Sequence, residues 1–296
     1  MEYICFDCPR GCGAVRGDDM PGGVCASPSL PRISRAAPHF GEEPCITGTR
    51  GSGAVFFTGC NLRCVFCQNR EISRGALSGT AADEYRLRDI MLALQDKGVH
   101  NINLVTATHY VRVVRRALEL AQLEIPVVWN SSGYDSVESL KTLEGLVQIY
   151  MPDYKYASPA PAKRYSAAAD YPQVAADAIK EMYRQRGAYV MGEDGLLRSG
   201  VLIRHLILPG QIENTMDVID FVSDTFTQNS VLFSLMSQYT PMPGLERFPE
   251  LTGRVSAEDN RHMYRYMINC GIENGYWQDT ESATADMIPD FDGTGV

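Results

Sequence analysis

Apolar residues along this chain fall into two alternating kinds of run. Short β-type runs occur at Gly53–Thr58, Asn101–Val105, Ile125–Trp129, Val147–Met151, Val201–Leu208 and Val231–Met236. Helical stripes lie between them. Near Asp83–Lys97, Leu87, Ile90, Met91 and Leu94 share one face, two acids occupy the first turn, and Gly98 stops the helix. Near Tyr110–Ala121, Val113, Val114, Ala117, Leu118 and Ala121 form another stripe. Ser136 is expected to cap a short helix, residues 159–187 are helical with a break at Tyr171-Pro172, and Asn214 and Ser256 cap two later helices. The turn at 192–195 (Gly-Glu-Asp-Gly) predicts a small hairpin leading into the fifth strand. Strands alternating with helices imply parallel βαβ units, and apolar strands without polar alternation suit a sheet covered on both faces. The expected fold is α/β, a partial (β/α)6 barrel, with chemistry at the C-terminal strand ends.

The first 45 residues lack this rhythm. They are rich in Cys, Gly and Pro and predict a loop-dominated appendage without a core of its own. The expected organisation is a Cys-rich segment at 1–48, a barrel at 49–276 and an acidic, aperiodic tail at 277–296.

Composition narrows the function. Of 296 residues, 45% are hydrophobic and 21% charged, enough to bury a sizeable core. The formal net charge of −9 disfavours a nucleic-acid surface. No apolar run approaches the roughly 20 residues of a membrane span. The N-terminus has neither the basic nor the apolar region of a secretory signal, so a cytoplasmic protein is expected. Nine cysteines occur, at 5, 8, 12, 25, 45, 60, 64, 67 and 270. An odd count with tight grouping, in a reducing compartment, argues for metal ligation over disulfides.

Cys60-Asn-Leu-Arg-Cys64-Val-Phe-Cys67 is a CxxxCxxC motif directly after the first barrel strand. Three thiolates on one loop can hold a zinc or leave one iron of a four-iron cubane without a protein ligand. An open iron can chelate a small molecule. The motif in this setting, with Phe66 before the last Cys, resembles the radical S-adenosylmethionine (SAM) superfamily. The stretch GSGAVFFTGCNLRCVFCQNREIS resembles the pyruvate formate-lyase activating enzymes, and more closely their relatives with a Cys-rich N-terminus. The similarity covers about residues 50–250.

The resemblance implies a radical-SAM barrel, a [4Fe-4S] cluster on Cys60, Cys64 and Cys67, and SAM chelated to the open iron. Reductive cleavage would yield a 5′-deoxyadenosyl radical that takes a hydrogen atom from a substrate. It implies a one-electron donor such as a flavodoxin or ferredoxin. The substrate would be a glycine of a partner glycyl-radical enzyme, another protein, or a small molecule. A non-catalytic iron–sulfur or zinc binding or electron-transfer protein is the alternative.

Other positions follow the same resemblance. Phe66 matches the position that packs near the adenine. The loop Thr106-Ala-Thr108-His109 lacks the family's Gly-Gly-Glu, leaving backbone carbonyls or the Thr108 hydroxyl to meet the SAM amino group. His109 either acts there or caps the next helix. Asn130 stands where the family has Asp and keeps an acceptor without its charge. Asp153 and Lys155 match the family's Asp-Leu-Lys, with Lys155 facing the SAM carboxylate and Asp153 the ribose or the lysine. Arg204-His205 interrupts the fifth strand, and His205 is the expected cofactor contact, a satisfied structural pair being the alternative.

The first cysteine group, Cys5, Cys8, Cys12 and Cys25, supplies four ligands and so closes a coordination sphere. Structural zinc and a second iron–sulfur cluster both fit. A coreless segment would gain folding energy from either. Cys45 is an alternative ligand there, and Cys270 reads as core.

Overall fold

The computed structural model describes residues 2–74, 78–278 and 289–296. Strands β1 (Tyr3–Cys5) and β2 (Ala14–Arg16) pair as an antiparallel hairpin, setting Cys5 opposite Ala14. The main sheet then begins inside the stretch whose composition predicts loops. Strand β3 (Arg32–His39) runs antiparallel to β4 (Ser52–Phe57), and helix α1 (Pro44–Thr47) joins them.

Helix α2 (Arg70–Arg74) and strand β5 (Thr80–Ala81) follow, and β5 pairs with β3 at one edge. The predicted alternation then appears: α3 (Glu84–Asp96), β6 (Ile102–Val105), α4 (Val111–Ala121), β7 (Val127–Ser131), α5 (Val137–Lys141), β8 (Ile149–Pro152), α6 (Pro159–Ser166) and α7 (Tyr171–Arg186). The predicted hairpin is β9 (Val190–Met191) against β10 (Leu197–Leu206). The chain continues through α8 (Ile212–Thr225), β11 (Leu232–Met236) and α9 (Ala257–Asn269) to β12 (Gly275–Trp277).

The sheet order is β5-β3-β4-β6-β7-β8-β10-β11-β12, with the parallel run extending from β4 to β12. Both ends stay unpaired with each other, so the barrel is partial and α/β as expected. β12 adds a parallel strand beyond the six that periodicity predicts, since three residues are too few to show a period. Residues 289–296, from the stretch read as tail, return along β3: Gly293 N–H donates to Ser34 O, and Ala36 N–H donates to Thr294 O. The rest of that tail, 279–288, lies outside the described residues.

Helix starts follow their caps. Asp83 accepts from Arg86 N at α3, Ser136 from Ser139 N at α5, and Ser256 from Asp259 N at α9. Asn214 does not cap α8. It lies inside the helix, and its side chain accepts from Ala157 N and donates to Lys155 O, pinning the loop after β8.

Two apolar layers flank the sheet. Outside, Val55, Leu104, Trp129, Tyr150, Ile203 and Phe233 meet the helices. Inside, Val128, Ile149, Met151, Leu202 and Leu232 pack on Cys45 and Ile46 of α1, which closes the barrel's N-terminal end. Cys45 is therefore a buried plug residue, remote from the first cysteine group. Cys270 follows α9, half-buried at the edge of the outer layer. None of the helices among the described residues is long and apolar enough to cross a membrane.

Candidate functional site

The C-terminal ends of β4, β6, β7, β8, β10 and β11 open into one cleft of about 240 Å³. Cys60, Cys64 and Cys67 line it with Phe66, Asn130, Asp153, Lys155 and Arg204. Convergence of the cysteine loop with the ends of three other strands is what the sequence predicts for a barrel site.

The cysteine loop leaves β4 through Gly59, at φ +82°. A Cβ there would stand 2.0 Å from Ser27 Oγ and 3.0 Å from His109 Nε2, so only glycine fits. His109 is buried, with Nε2 2.9 Å from Thr58 O. It steadies the start of the loop and does not cap the helix that follows, whose N-terminus has no side-chain cap. The far side of the loop hangs on α6 and its C-terminus: Arg63 N–H donates to Ser166 O and Val65 N–H to Tyr165 O.

The sulfurs carry hydrogen-bond donors suited to thiolates. Ser166 Oγ lies 3.0 Å from Cys64 Sγ, and Leu62 N–H points to Cys60 Sγ at 3.4 Å. Cys67 is the exception: its Sγ donates to Ser73 Oγ at 3.5 Å, and that hydroxyl donates to Arg70 O. All nine cysteines of the chain are free of disulfides. Burial, reinforced by Cys64 and Cys67, pushes the Cys60 thiol up to about 12. A bound metal would have to displace that proton, so binding releases acid. Among the described residues, no three His, Cys, Asp or Glu side chains gather tightly enough to hold one metal ion. A tetrahedral zinc with Zn–S near 2.3 Å keeps its sulfurs about 3.8 Å apart, whereas a cubane interposes four irons. Three free thiols on one loop, two of them with donors on their sulfurs, are a donor set that fits a cluster with one open iron.

A charged network forms the opposite wall. Arg204 Nε is 3.0 Å from Asp153 Oδ1, and Arg204 Nη1 is 3.0 Å from Glu42 Oε2. Its Nη2 donates to Asn130 Oδ1 at 2.7 Å. Lys155 Nζ pairs with Asp153 Oδ2 at 2.5 Å. Glu42 Oε1 accepts from Asn103 and Asn130. Burial opposes ionisation of Asp153, but Lys155 and Arg204 prevail and hold its carboxyl below the usual range. Tyr171 locks two of the wall's loops. Its hydroxyl lies 2.8 Å from the carbonyls of Ser132 and Asp153 and accepts Lys155 N–H.

Two predicted contacts stand elsewhere. Thr108 donates to Asp135 Oδ1 at 2.6 Å, within a buried set that includes Ser131 and Trp129. Its hydroxyl is committed away from the cleft. His205 is fully buried, with Nδ1 2.7 Å from Tyr154 O and Nε2 3.0 Å from Thr215 Oγ1. Strand alternation sends His205 to the helical layer and Arg204 to the cleft. Phe66 is buried edge-on against Tyr239, within the cleft wall.

Glu42 escaped sequence reading. It comes from the connection between β3 and α1, outside the six strand–loop units, and no spacing motif marks it. Glu43 beside it is half-buried, and desolvation pushes its carboxyl up.

A parallel open barrel with a three-cysteine loop after its first parallel strand defines a class, and the sequence agrees. The Radical SAM superfamily profile matches residues 54–222, and the chain belongs to that superfamily. An uncharacterized protein of Methanocaldococcus jannaschii is 29% identical over 229 residues, covering 75% of this chain and 62% of the relative. The chain thus spans under two thirds of that relative's length. Streptococcus suis SuiB bound to S-adenosylmethionine shares the fold with a TM-score of 0.51 at 15% identity, over 71% of this chain and 44% of SuiB. HydG, a maturase of the [FeFe]-hydrogenase, gives a TM-score of 0.47 at 14% identity, over 72% of this chain and 48% of HydG. Membership of the family implies a [4Fe-4S] cluster and SAM.

Proposed function

We propose that this chain is a radical SAM enzyme, in which a [4Fe-4S] cluster on Cys60, Cys64 and Cys67 supplies one electron to SAM and so a 5′-deoxyadenosyl radical for hydrogen abstraction. The observation that supports this is the meeting of the three thiols with Asn130, Asp153, Lys155 and Arg204 in one cleft.

The residues divide the work. Lys155 and Arg204 place two cations where a carboxylate can dock. Asn130 and Glu42 offer acceptor oxygens for an ammonium group. Asp153 orients both cations through its two oxygens. Phe66 gives an apolar face for a base and keeps water from the loop. Tyr171 and Gly133 fix the loops, since a Cβ at Gly133 would lie 2.2 Å from Asp153 O.

Resemblance of the cysteine stretch to the activating enzymes supports a finer reading: a glycine Cα of a partner enzyme as the hydrogen donor, with a flavodoxin or ferredoxin as reductant. The test is anaerobic. Reconstituted protein is reduced, given SAM and assayed for 5′-deoxyadenosine beside Cys60→Ala. Cleavage that requires Cys60 supports the proposal. A well-formed cluster that neither binds nor cleaves SAM overturns it in favour of a non-catalytic metal or electron-transfer protein. A radical doublet on a co-incubated glycyl-radical enzyme would support the finer reading.

A further inference from the structure

The first cysteine group is built against the second. Arg10, between Cys8 and Cys12, donates from Nε to Asn61 O at 2.8 Å, one residue after Cys60. In return Arg63, between Cys60 and Cys64, donates to Val24 O, one residue before Cys25. Arg10 Nη1 also reaches Ala167 O at 2.7 Å, beside the Ser166 that bonds Cys64. The glycine before Cys60 packs on Cys25 O and Ser27 so closely that a Cβ would overlap them. Two cysteine loops are thus clasped by reciprocal arginines.

A buried cation touches one of the four sulfurs, that of Cys5. Arg16 has no exposed surface. Its guanidinium donates to Cys5 Sγ at 3.4 Å and to the carbonyls of Ser27, Pro28 and His109. Among the described residues it makes no ion pair with a carboxylate. A buried cation needs an anion nearby, and a tetrathiolate metal centre carries net negative charge. Cys12 and Cys25 sulfurs flank Gly23, at 2.9 and 3.9 Å from where its Cβ would be. Cys5, Cys8 and Cys25 are buried, whereas Cys12 is exposed. One edge of the site therefore faces solvent, and another packs on the loop that carries Cys60.

From this clasp we infer that Cys5, Cys8, Cys12 and Cys25 hold a second [4Fe-4S] cluster, which relays single electrons from an external donor to the cluster on Cys60, Cys64 and Cys67. The relay rests on the radical SAM reading for its purpose. A flavodoxin- or ferredoxin-class donor loses one electron at the Cys12 edge. A cluster held there would accept that electron and pass it to one held by Cys60, Cys64 and Cys67, with no net change in its own oxidation state. No bond forms or breaks and no proton moves. Arg16, donating to a ligand sulfur, stabilises the more negative reduced state and raises the potential.

Metal analysis and EPR of the whole chain test this. Wild type isolated and reconstituted without oxygen should carry about eight irons and eight sulfides and no zinc. Cys60→Ala/Cys64→Ala/Cys67→Ala should keep about four irons in a reducible cluster. Fully reduced wild type should show a broadened, spin-coupled signal that becomes a simple one in this variant. One zinc per chain with about four irons overturns the inference. So do two clusters whose signals merely add, since they do not communicate. Absent SAM cleavage with both clusters present and coupled would overturn the proposed function and leave this inference standing.

Discussion

Arg204 shows how a single side chain sets the site. Its fork spans Glu42 and Asp153, and only Lys155 shares the load. Arg204→Ala leaves half-buried Glu42 without a cation and Asp153 with Lys155 alone, and should cost about 3 kcal/mol by urea unfolding. Arg204→Lys should recover only part of that, because an ammonium cannot engage both acids at once. Asp153 adds a pH signature. Its carboxyl is held below its ordinary value, so the stability it contributes is present above about pH 4 and is lost as pH falls through the folded value. Asp153→Asn should therefore unfold at lower urea at neutral pH and lose stability less steeply below pH 4. His109 works in the other range. Burial first, and Arg16 second, push its ring down to about 3. The unfolded chain takes up this proton near pH 6.5 and the folded chain only near 3, so stability falls as pH drops between them, by up to about 1.4 kcal/mol per unit. His109→Gln should flatten that slope between pH 4 and 6.5, followed by urea midpoints. The choice between Arg204 and His205 was not legible in sequence. Apolar residues occupy both faces of β10, so no alternation marks which parity looks into the cleft.

At the level of elements, the cysteine loop was readable because its chemistry is local. Three thiols within eight residues after a strand need no tertiary knowledge. The wall facing it was half readable. Asp153 and Lys155 directly follow β8, where a strand's C-terminal loop should carry chemistry, while Glu42 arrives from the β3–α1 connection. Thr108 shows the opposite failure: a polar residue after a strand end looked available, yet buried Asp135 claims it. Loop geometry gives a further test. Gly59 has φ +82° and no room for a side chain. Gly59→Ala should cost several kcal/mol in strain and displacement of Ser27, and lower iron content after reconstitution. Tyr171→Phe keeps the ring but removes the hydroxyl that joins the loops after β7 and β8. It should cost about 1–2 kcal/mol by chemical denaturation and weaken SAM binding more than it weakens the fold.

Across the whole molecule, the parallel core was legible because buried strands and amphipathic helices alternate in the order a βαβ chain requires. Its borders were not. β3 hides within the segment that Cys, Gly and Pro mark as irregular, and β12 is three residues long. Long-range closure is equally silent in sequence: Phe291 packs edge-on against Phe56, and Asp292 pairs with Arg35 on β3. Removing residues 289–296 should uncover that edge and lower the melting temperature by several degrees, since about 1 kcal/mol corresponds to roughly 2–4 °C at this size. The central claim is that three cysteines leave one iron open to SAM in the cleft walled by Asn130, Asp153, Lys155 and Arg204. The most direct measurement is electron–nuclear double resonance on the reduced protein with SAM labelled at its amino nitrogen. A hyperfine coupling from that label, absent in Cys60→Ala, is the predicted result. A reduced cluster whose spectrum is blind to the labelled SAM, at concentrations where SAM is bound, would contradict the account.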